Sequence, residues 1–362
     1  TAPTYIYTLS LHDALPIYIG NSEIGHLAIS AGRFVEPSLD MINRHLISGE
    51  FYKNKAIGQC IEYCKLHNSN LHLVGMISDS GIHSHLDHLF GLLEYAKREE
   101  FKNVYIHAIT DGKDGDPNEG IRHMEKLVSF LEENGFGEVA TVMGRDFAMD
   151  KSGNWKNIST AYRAIVMGEG RSGIEPRQVI SRCYKEGYGD ENIPPHVIFS
   201  GRNPVAYVKD FDGVIFFNYR LDRMQELPAS FLMKKRLFMR MPRLYNLNVV
   251  TFTDYFYDMN KRGYSVAFDR EKVEPNLCSL LSDKGIRQIH IAESEKSSHV
   301  TFFMDGGNMT PYPNEDWEIV PSPSVSDFRS TPAMSARAVT DKIIRADRKS
   351  TRLNSSHGKL TR

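Results

Sequence analysis

The sequence predicts an α/β fold in which helices cover both faces of a mostly parallel sheet. Through the middle of the 362-residue chain, short apolar runs alternate with amphipathic stretches. This alternation is typical of parallel sheets, because each helix returns the chain to the same edge of the sheet. Hydrophobic residues make up 41% and charged residues 25% of the chain, which indicates a globular protein and argues against disorder.

The predicted elements follow one another in a regular order. The apolar run at residues 71–78 precedes residues 86–100, whose apolar side chains recur at helical spacing. Gly135 and Gly137 close the next helix, and Ser159 or Thr160 lies near the start of the third. The other predicted strands cover residues 103–110, 138–144, 213–220 and 248–255, and the other predicted helices cover residues 118–137 and 157–170.

Charge and cysteine content restrict the possible partners. The formal net charge of −1 gives no electrostatic indication of binding to nucleic acid or anionic lipid. No stretch approaches the ~18–20 consecutive apolar residues of a membrane span. The four cysteines are too scattered for a disulfide framework and indicate a reducing, cytoplasmic compartment. Cys60 and Cys64 fit buried thiols on one helix face better than zinc ligands, because no second pair at ligand spacing follows.

Residues 1–17 and 348–362 are interpreted as translated sequencing-adapter sequence. Residues 8–17 and 348–357 carry that resemblance. The first segment lacks the basic start and long apolar centre of a signal peptide, and the last is basic, polar and aperiodic. Natural disordered tails are the alternative. On the adapter interpretation, the native part covers residues 18–347 and is a fragment.

Polar side chains collect where four of the predicted strands end. The carboxyl ends of parallel strands form one edge of a sheet, and ligands of open α/β sheets bind there. Converging guanidinium groups suit a phosphate or carboxylate, because each can bind two oxygens at once. A single arginine is more often a solvated surface charge, but four strand ends with this pattern predict a small-anion site. The side chains concerned are Asp79, His83, Asp111, Lys113, Asp114, Arg145, Arg220 and Arg223.

The segment at residues 83–88 contains three histidines and has two interpretations. His85 and His88 are spaced so that both could hold one metal ion at a helix start. We favour a structural role, since imidazoles at a helix start often bond to backbone groups or line a phosphate pocket. His83 could also act as an acid or base near neutral pH.

Ser22 lies between Gly20 and Gly25, at the predicted start of a helix. Small residues there allow the backbone to approach a ligand closely. The hydroxyl is placed either to cap the helix or, if a metal lowered its pKa, to attack phosphorus. The pattern alone leaves both roles open.

Seven segments together resemble the family of cofactor-independent, that is 2,3-bisphosphoglycerate-independent, phosphoglycerate mutases. They occur in the order found in that family and cover essentially all of residues 18–347. Seven ordered motifs are far more specific than any one of them. The segments are GNSEIGH, SDSGIHSHLDHLFGLLE, HAITDGKDGDP, VMGRDFAMDKSGNW, VIFFNYRLDR, IAESEKSSHVTFFMDGG and VPSPSVSDFRSTPAMSA.

The resemblance implies a partial alkaline-phosphatase-like domain, which holds two divalent ions, usually manganese, and a complete inserted α/β phosphotransferase domain. Residues 18–36 and 271–347 would belong to the first domain, and residues 37–270 would form the insert. Domain closure is expected to exclude water, because an exposed phosphoserine would hydrolyse.

The resemblance also implies a reaction, the interconversion of 3-phosphoglycerate and 2-phosphoglycerate through a phosphoserine in glycolysis and gluconeogenesis. Ser22 would be the nucleophile and a metal ligand, and Asp114 would act as acid or base on the glycerate hydroxyls. His83 would contact the substrate near its phosphoryl group. The basic residues that would bind carboxylate and phosphate, or neutralise the transferred group, are Lys113, Arg145, Lys151, Arg220, Arg223 and Lys296.

The sequence departs from the family pattern in two ways. Lys113 and Lys151 stand where family members commonly carry arginine, so the charge is kept but the two-pronged geometry is lost. Of the family's metal ligands, Ser22 alone is found in the sequence. We therefore expect that this chain binds no catalytic metal pair, packs its phosphatase-like part poorly and has little or no mutase activity. The inserted domain is expected to be able to fold alone.

Two alternatives stay open. One is another metal-dependent phosphomutase or phosphatase of the alkaline phosphatase superfamily, which the arginine-rich insert disfavours. The other is a non-enzymatic module that binds phosphoglycerate or another anion at Arg145, Arg220 and Arg223 without turnover. In each case the expected partner is a small molecule, and the family resemblance implies a monomer.

Overall fold

The computed structural model describes residues 22–150, 154–232, 242–256, 263–269, 272–325 and 328–357. The chain divides into two compact units. The central unit comprises residues 38–270, and the flanking unit comprises the chain up to residue 37 together with the chain from residue 271 onward.

The described strands and helices are numbered in chain order. The strands are β1 (Leu71–Met76), β2 (Val104–Thr110), β3 (Glu138–Gly144), β4 (Arg171–Gly173), β5 (His196–Ser200), β6 (Asn203–Pro204), β7 (Gly213–Phe216), β8 (Asn248–Thr251), β9 (Ser265–Val266), β10 (Gln288–Glu293) and β11 (Glu315–Val320). The helices are α1 (Ser22–Ala31), α2 (Ser38–Ser48), α3 (Lys55–His67), α4 (Leu86–Arg98), α5 (Gly120–Asn134), α6 (Arg145–Ala148), α7 (Trp155–Met167), α8 (Pro176–Lys185), α9 (Glu226–Leu232), α10 (Leu277–Asp283), α11 (Ser297–Val300) and α12 (Ala336–His357).

The central unit is built on one large sheet in the order β4-β5-β3-β2-β1-β7-β8-β9, with β6 beside β5. The pairs β1–β2, β1–β7, β2–β3, β7–β8, β8–β9 and β4–β5 are parallel. Strand β5 runs antiparallel to both β3 and β6. The predicted α/β class, with a mostly parallel sheet, is therefore confirmed.

Apolar clusters cover both faces of this sheet. Successive side chains of a strand point to opposite faces. On β1, Leu71 and Leu73 pack into one cluster, whereas Val74 and Met76 pack into the other. A strand buried on both faces reads as a continuous apolar run rather than an alternating one, which is why residues 71–78 are recognisable as a strand.

Several predicted boundaries shift in the structure. The predicted strands at residues 71–78, 213–220 and 248–255 are two to four residues too long. After β7 the chain leaves the sheet, because the N–H of Tyr219 donates to the carbonyl of His83 at 2.9 Å. Helix α5 ends as predicted at Gly135, whose φ of 66° is left-handed and favours glycine.

Two smaller predictions about helices have different outcomes. Cys60 and Cys64 are buried free thiols on α3, as predicted. Ser159 and Thr160 do not lie at the start of α7, because this helix begins at Trp155. Both residues lie in its second turn.

The flanking unit has a much smaller described core. Strands β10 and β11 pair in parallel over six residues. Leu27, Val35 and Val273 form its buried apolar cluster. Within the described part of the chain, no helix combines the length and the apolar character needed to cross a membrane.

Candidate functional site

Asp111 lies where the strand ends of the central unit meet. It follows β2 and is buried. Its Oδ1 accepts from the backbone N–H groups of Lys113, at 3.2 Å, and Asp114, at 3.1 Å. Its Oδ2 accepts from the hydroxyls of Ser78, at 3.1 Å, and Ser80, at 3.4 Å. One carboxylate thus fastens the loop after β1 to the loop after β2.

Arg145 connects this carboxylate to two predicted site residues. The side chain begins α6, directly after β3, and only 2% of it is exposed. Nη1 donates to Asp111 Oδ1 at 2.5 Å and to Asp114 Oδ2 at 2.6 Å. Nη2 donates to His83 Nε2 at 2.9 Å. Arg145 therefore orients both Asp114 and His83, and two carboxylates already balance its charge.

His83 is buried among positive charges. Burial, together with the charges of Arg145, Arg220 and Arg223, lowers its pKa to about 2. The ring is therefore neutral at physiological pH, and Nε2 must be the unprotonated nitrogen because it accepts from Arg145. This environment does not favour the acid–base role near neutral pH that the sequence left open for His83.

Arg220 and Arg223 follow β7 and are partly exposed. The backbone N–H groups of Tyr219 and Arg220 donate to the carbonyl of His83 at 2.9 and 3.4 Å. The positive charges of both guanidinium groups contribute to the lowered pKa of His83. The structure thus brings together His83, Asp114, Arg145, Arg220 and Arg223 as the strand-end pattern predicts.

Two of the predicted lysines have different outcomes. Lys113 points to acidic side chains, with Nζ 2.6 Å from Asp146 Oδ1 and 3.3 Å from Glu191 Oε2. About 40% of its side chain is exposed. Lys151 lies outside the described residues.

The hydrogen-bond partners of Asp79 lie in α5 and not among the residues around Arg145. Asp79 accepts from His123 Nε2 at 2.8 Å and from Lys126 Nζ at 3.1 Å. Partial burial raises the pKa of Asp79, but these two hydrogen bonds outweigh it and hold the pKa well below its usual range. Asp79 therefore anchors α5 to the loop after β1.

The histidines around α4 have structural partners, as we favoured from the sequence. The ring of His85 caps the helix by accepting from the N–H of Asp87 at 3.2 Å. His88 is buried and bonds through Nε2 to Asn43 Oδ1 at 3.0 Å. The two rings thus have different partners, and neither belongs to a gathered set of possible ligands among the described residues.

Ser22 opens α1 in the flanking unit and is exposed. Its carbonyl accepts from His26 Nδ1 at 2.7 Å. The ring of His26 meets the edge of the His299 ring, with centroids 5.0 Å apart. His299 Nδ1 lies 3.3 Å from the carbonyl of Lys296, so Ser22 and Lys296 belong to one connected part of this unit.

The divalent pair implied by the family resemblance does not fit the described residues around Ser22. Such a pair needs several carboxylate or imidazole ligands in fixed geometry. In the described ranges, two sets of possible cysteine, histidine or carboxylate ligands are gathered, and neither includes a residue of α1. These sets are Asp79, Glu119 and His123 in the central unit, and Cys278, His290, Asp305 and Glu315 in the flanking unit.

Sequence reasoning missed the supporting residues of the site. The strand-end pattern places Asp111 in the small-anion site, but it does not predict the hydrogen bonds of Asp111 with Ser78 and Ser80. The position of these three residues at the ends of buried apolar runs is the feature of the sequence that could have indicated their role. The pairing of Arg145 with two carboxylates had no signal in the local sequence, because the partners come from separate loops.

Comparison with known proteins identifies the family. Residues 42–257 match the family model described as the BPG-independent PGAM N-terminus. Curated 2,3-bisphosphoglycerate-independent phosphoglycerate mutases from Clostridium beijerinckii and Acetivibrio thermocellus are each 40% identical, over 90% and 94% of this chain. The chain spans 63% and 67% of their respective lengths.

A solved structure gives the same result. The Leishmania mexicana phosphoglycerate mutase, crystallised at low cobalt concentration, matches 92% of this chain with a TM-score of 0.81 and 26% identity. This chain covers 62% of that structure. The resemblance predicted from the seven segments is confirmed, and the chain belongs to the family of 2,3-bisphosphoglycerate-independent phosphoglycerate mutases.

Proposed function

We propose that the protein interconverts 3-phosphoglycerate and 2-phosphoglycerate through a phosphoserine on Ser22. The central unit is assigned to substrate binding as the phosphotransferase domain. The flanking unit is assigned to the phosphatase-like domain that carries Ser22 and Lys296. Membership of the family supports the reaction, and the charged side chains around Arg145 support phosphoglycerate as the substrate.

The observation that carries the proposal is the grouping of charges at the carboxyl ends of β1, β2, β3 and β7. Phosphoglycerate presents a carboxylate, a hydroxyl and a phosphate. Arg220 and Arg223 are partly exposed and supply guanidinium groups suited to the two anionic groups. Asp114, held by Arg145 at 2.6 Å, supplies a carboxylate suited to a hydroxyl. The donor set therefore matches the three groups of this substrate.

Each residue has a defined part in the proposed reaction. Arg145 positions Asp114 and His83, while Arg220 and Arg223 bind the anionic groups. Neutral His83 contacts substrate as a hydrogen-bonding group rather than as a cation. Asp114 takes up and returns the proton of the glycerate hydroxyl. Lys113, and Lys151 by its motif, contribute positive charge near the substrate.

The phosphoryl transfer is assigned to Ser22. A bond forms between Ser22 Oγ and phosphorus as the bond to the 3-oxygen breaks. The serine hydroxyl gives up its proton and the 3-oxygen gains one, which releases glycerate. The reverse step returns the phosphoryl group to the 2-oxygen. Lys296 neutralises the transferred group. The divalent ions that the family resemblance implies would help to ionise the serine hydroxyl. The described residues around Ser22 do not fit such a pair, since neither gathered ligand set includes a residue of α1.

The remaining expectations are part of this proposal. We expect a monomer in the cytoplasm that acts on a small molecule, and manganese as the family's usual ion. Against the proposed turnover stands a separate expectation from the sequence, that this chain binds no manganese pair and shows little or no conversion. A manganese titration of the purified chain tests it, and tight binding at two sites with turnover would contradict it.

Phosphorus NMR of the chain with 3-phosphoglycerate and manganese tests the reaction. A 2-phosphoglycerate signal that forms with the wild-type chain but not with Ser22→Ala supports the proposed mutase. Release of inorganic phosphate supports a phosphatase of the same superfamily. Substrate binding without conversion supports the anion-binding module for this polypeptide. Failure of the folded chain to bind phosphoglycerate contradicts the proposal.

A further inference from the structure

The flanking unit contains a buried group of ligand-type side chains to which the proposed reaction gives no role. We call it the flanking cluster. It consists of Cys278, His290, Asp305 and Glu315. One ligand atom from each residue lies within 4.8 Å of the others. In a tetrahedral metal site the corresponding separations are roughly 3–4 Å, so side-chain movements of about 1 Å close the set around one ion.

Asp305 is the member whose buried carboxylate needs a proton or a cationic partner. It is only 1% exposed. Neither of its carboxylate oxygens finds a hydrogen-bond partner among the described residues, and His290 Nδ1 lies 3.9 Å from Oδ1. A buried carboxylate in this position requires either a proton or a bound cation.

The other members are already oriented by their surroundings. His290 Nδ1 contacts the carbonyl of Val300 and lies 3.3 Å from Glu315 Oε1. Its Nε2 lies 3.4 Å from Gln288 Oε1 and 4.0 Å from Cys278 Sγ. Glu315 is held through Oε1 by Trp317 Nε1 at 2.6 Å and through Oε2 by the N–H of Tyr312 at 2.8 Å. Such outer hydrogen bonds to ligating histidines and carboxylates are typical of metal sites.

We propose that the flanking cluster binds one divalent transition-metal ion of the zinc or cobalt type. A thiolate and an imidazole select such ions over magnesium or calcium, which prefer oxygen ligands alone. Binding releases the proton of the Cys278 thiol and that of the Asp305 carboxyl, and the two anions then ligate the ion. The ligands come from α10, β10, the turn after α11 and the start of β11, so the ion ties four segments of the unit together.

This site is distinct from any ion at Ser22. The N–H of Leu277, the residue before Cys278, donates to the hydroxyl of Ser30 at 3.3 Å. Ser30 is eight residues along α1 from Ser22, a distance of about 12 Å at the rise of an α-helix. The flanking cluster therefore lies near the opposite end of α1 from Ser22.

Cobalt titration of the metal-stripped, reduced full chain tests the proposal. The expected result is one equivalent bound, with a near-ultraviolet thiolate-to-cobalt band and visible bands of tetrahedral cobalt. Cys278→Ser should abolish the thiolate band, and Asp305→Asn should weaken cobalt binding by about tenfold or more. Zinc should raise the melting temperature of the wild-type chain more than that of Asp305→Asn. This comparison keeps the test valid if Cys278→Ser does not fold.

Cys183 provides a matched control. Its buried Sγ lies 3.9 Å from His196 Nε2, yet it is not part of either gathered ligand set in the described residues. Cys183→Ser should leave the cobalt spectrum unchanged. The proposal is overturned if the folded wild-type chain shows no thiolate band, if the band persists in Cys278→Ser, or if Cys183→Ser removes it. A zinc effect on melting that is equal in wild type and Asp305→Asn also overturns it.

Discussion

The buried guanidinium of Arg145, at the start of α6, joins two loops of the central unit. Its contacts reach Asp111 and Asp114 after β2, and His83 after β1. Because Arg145 and Asp111 are both nearly excluded from solvent, each charge depends on the other to remain in the interior. At the scale of single residues, this pair stabilises the geometry of the site, whereas Arg220 and Arg223 remain partly exposed to meet a ligand.

Arg145→Ala should destabilise the central unit by about 3–5 kcal/mol, because it leaves the Asp111 carboxylate buried without its cation. Adding Asp111→Asn should restore part of that loss, since the uncompensated charge is then removed. Urea denaturation in a Trp317→Phe background measures this, with Trp155 reporting on the central unit. A loss below about 1 kcal/mol for Arg145→Ala would show that the pair is not a stabilising contact.

At the scale of the elements, the sequence identifies the strands that carry the site but not the contacts between their loops. Strands β1, β2 and β3 are buried on both faces and appear as apolar runs, so they could be predicted. Strands β10 and β11 are partly exposed and lack a clear alternation, so the sequence does not predict them. Contacts such as Arg145 with Asp111 depend on tertiary folding, which spacing along the chain does not encode.

The helix that carries His88 gives a pH-dependent prediction. Burial lowers the pKa of His88 to about 3, while its unfolded value is near 6.5. A lowered folded pKa contributes stability above the unfolded pKa, and that stability is lost as pH falls below about 6.5. Between pH 6.5 and 4.5, His88 alone should therefore remove about 2–3 kcal/mol from the free energy of unfolding.

His88→Gln is the appropriate variant, because an amide N–H can still donate to Asn43 Oδ1. Its free energy of unfolding should fall less over this pH range than that of the wild type, by about 2–3 kcal/mol. Urea denaturation at several pH values, again followed through Trp155, makes the comparison. Identical pH profiles would mean that His88 titrates normally in the folded protein.

At the scale of the whole molecule, the two units differ in how they are stabilised. The central unit has apolar clusters on both faces of its sheet, whereas the described apolar core of the flanking unit is small. A metal ion in the flanking cluster would add cross-links where apolar burial is limited. Substrate recognition is assigned to the central unit, where Arg220 and Arg223 follow β7.

Calorimetric titration of 3-phosphoglycerate into the full chain tests that recognition most directly. Arg202 is the matched control, because it follows β5, which runs antiparallel to β3 and so ends at the opposite edge of the sheet. We expect Arg202→Ala to bind like the wild type. The double variant Arg220→Ala, Arg223→Ala should bind more weakly by about tenfold or more. Equal affinity in that double variant, or no binding by the folded wild-type chain, would contradict the assignment of this site to phosphoglycerate.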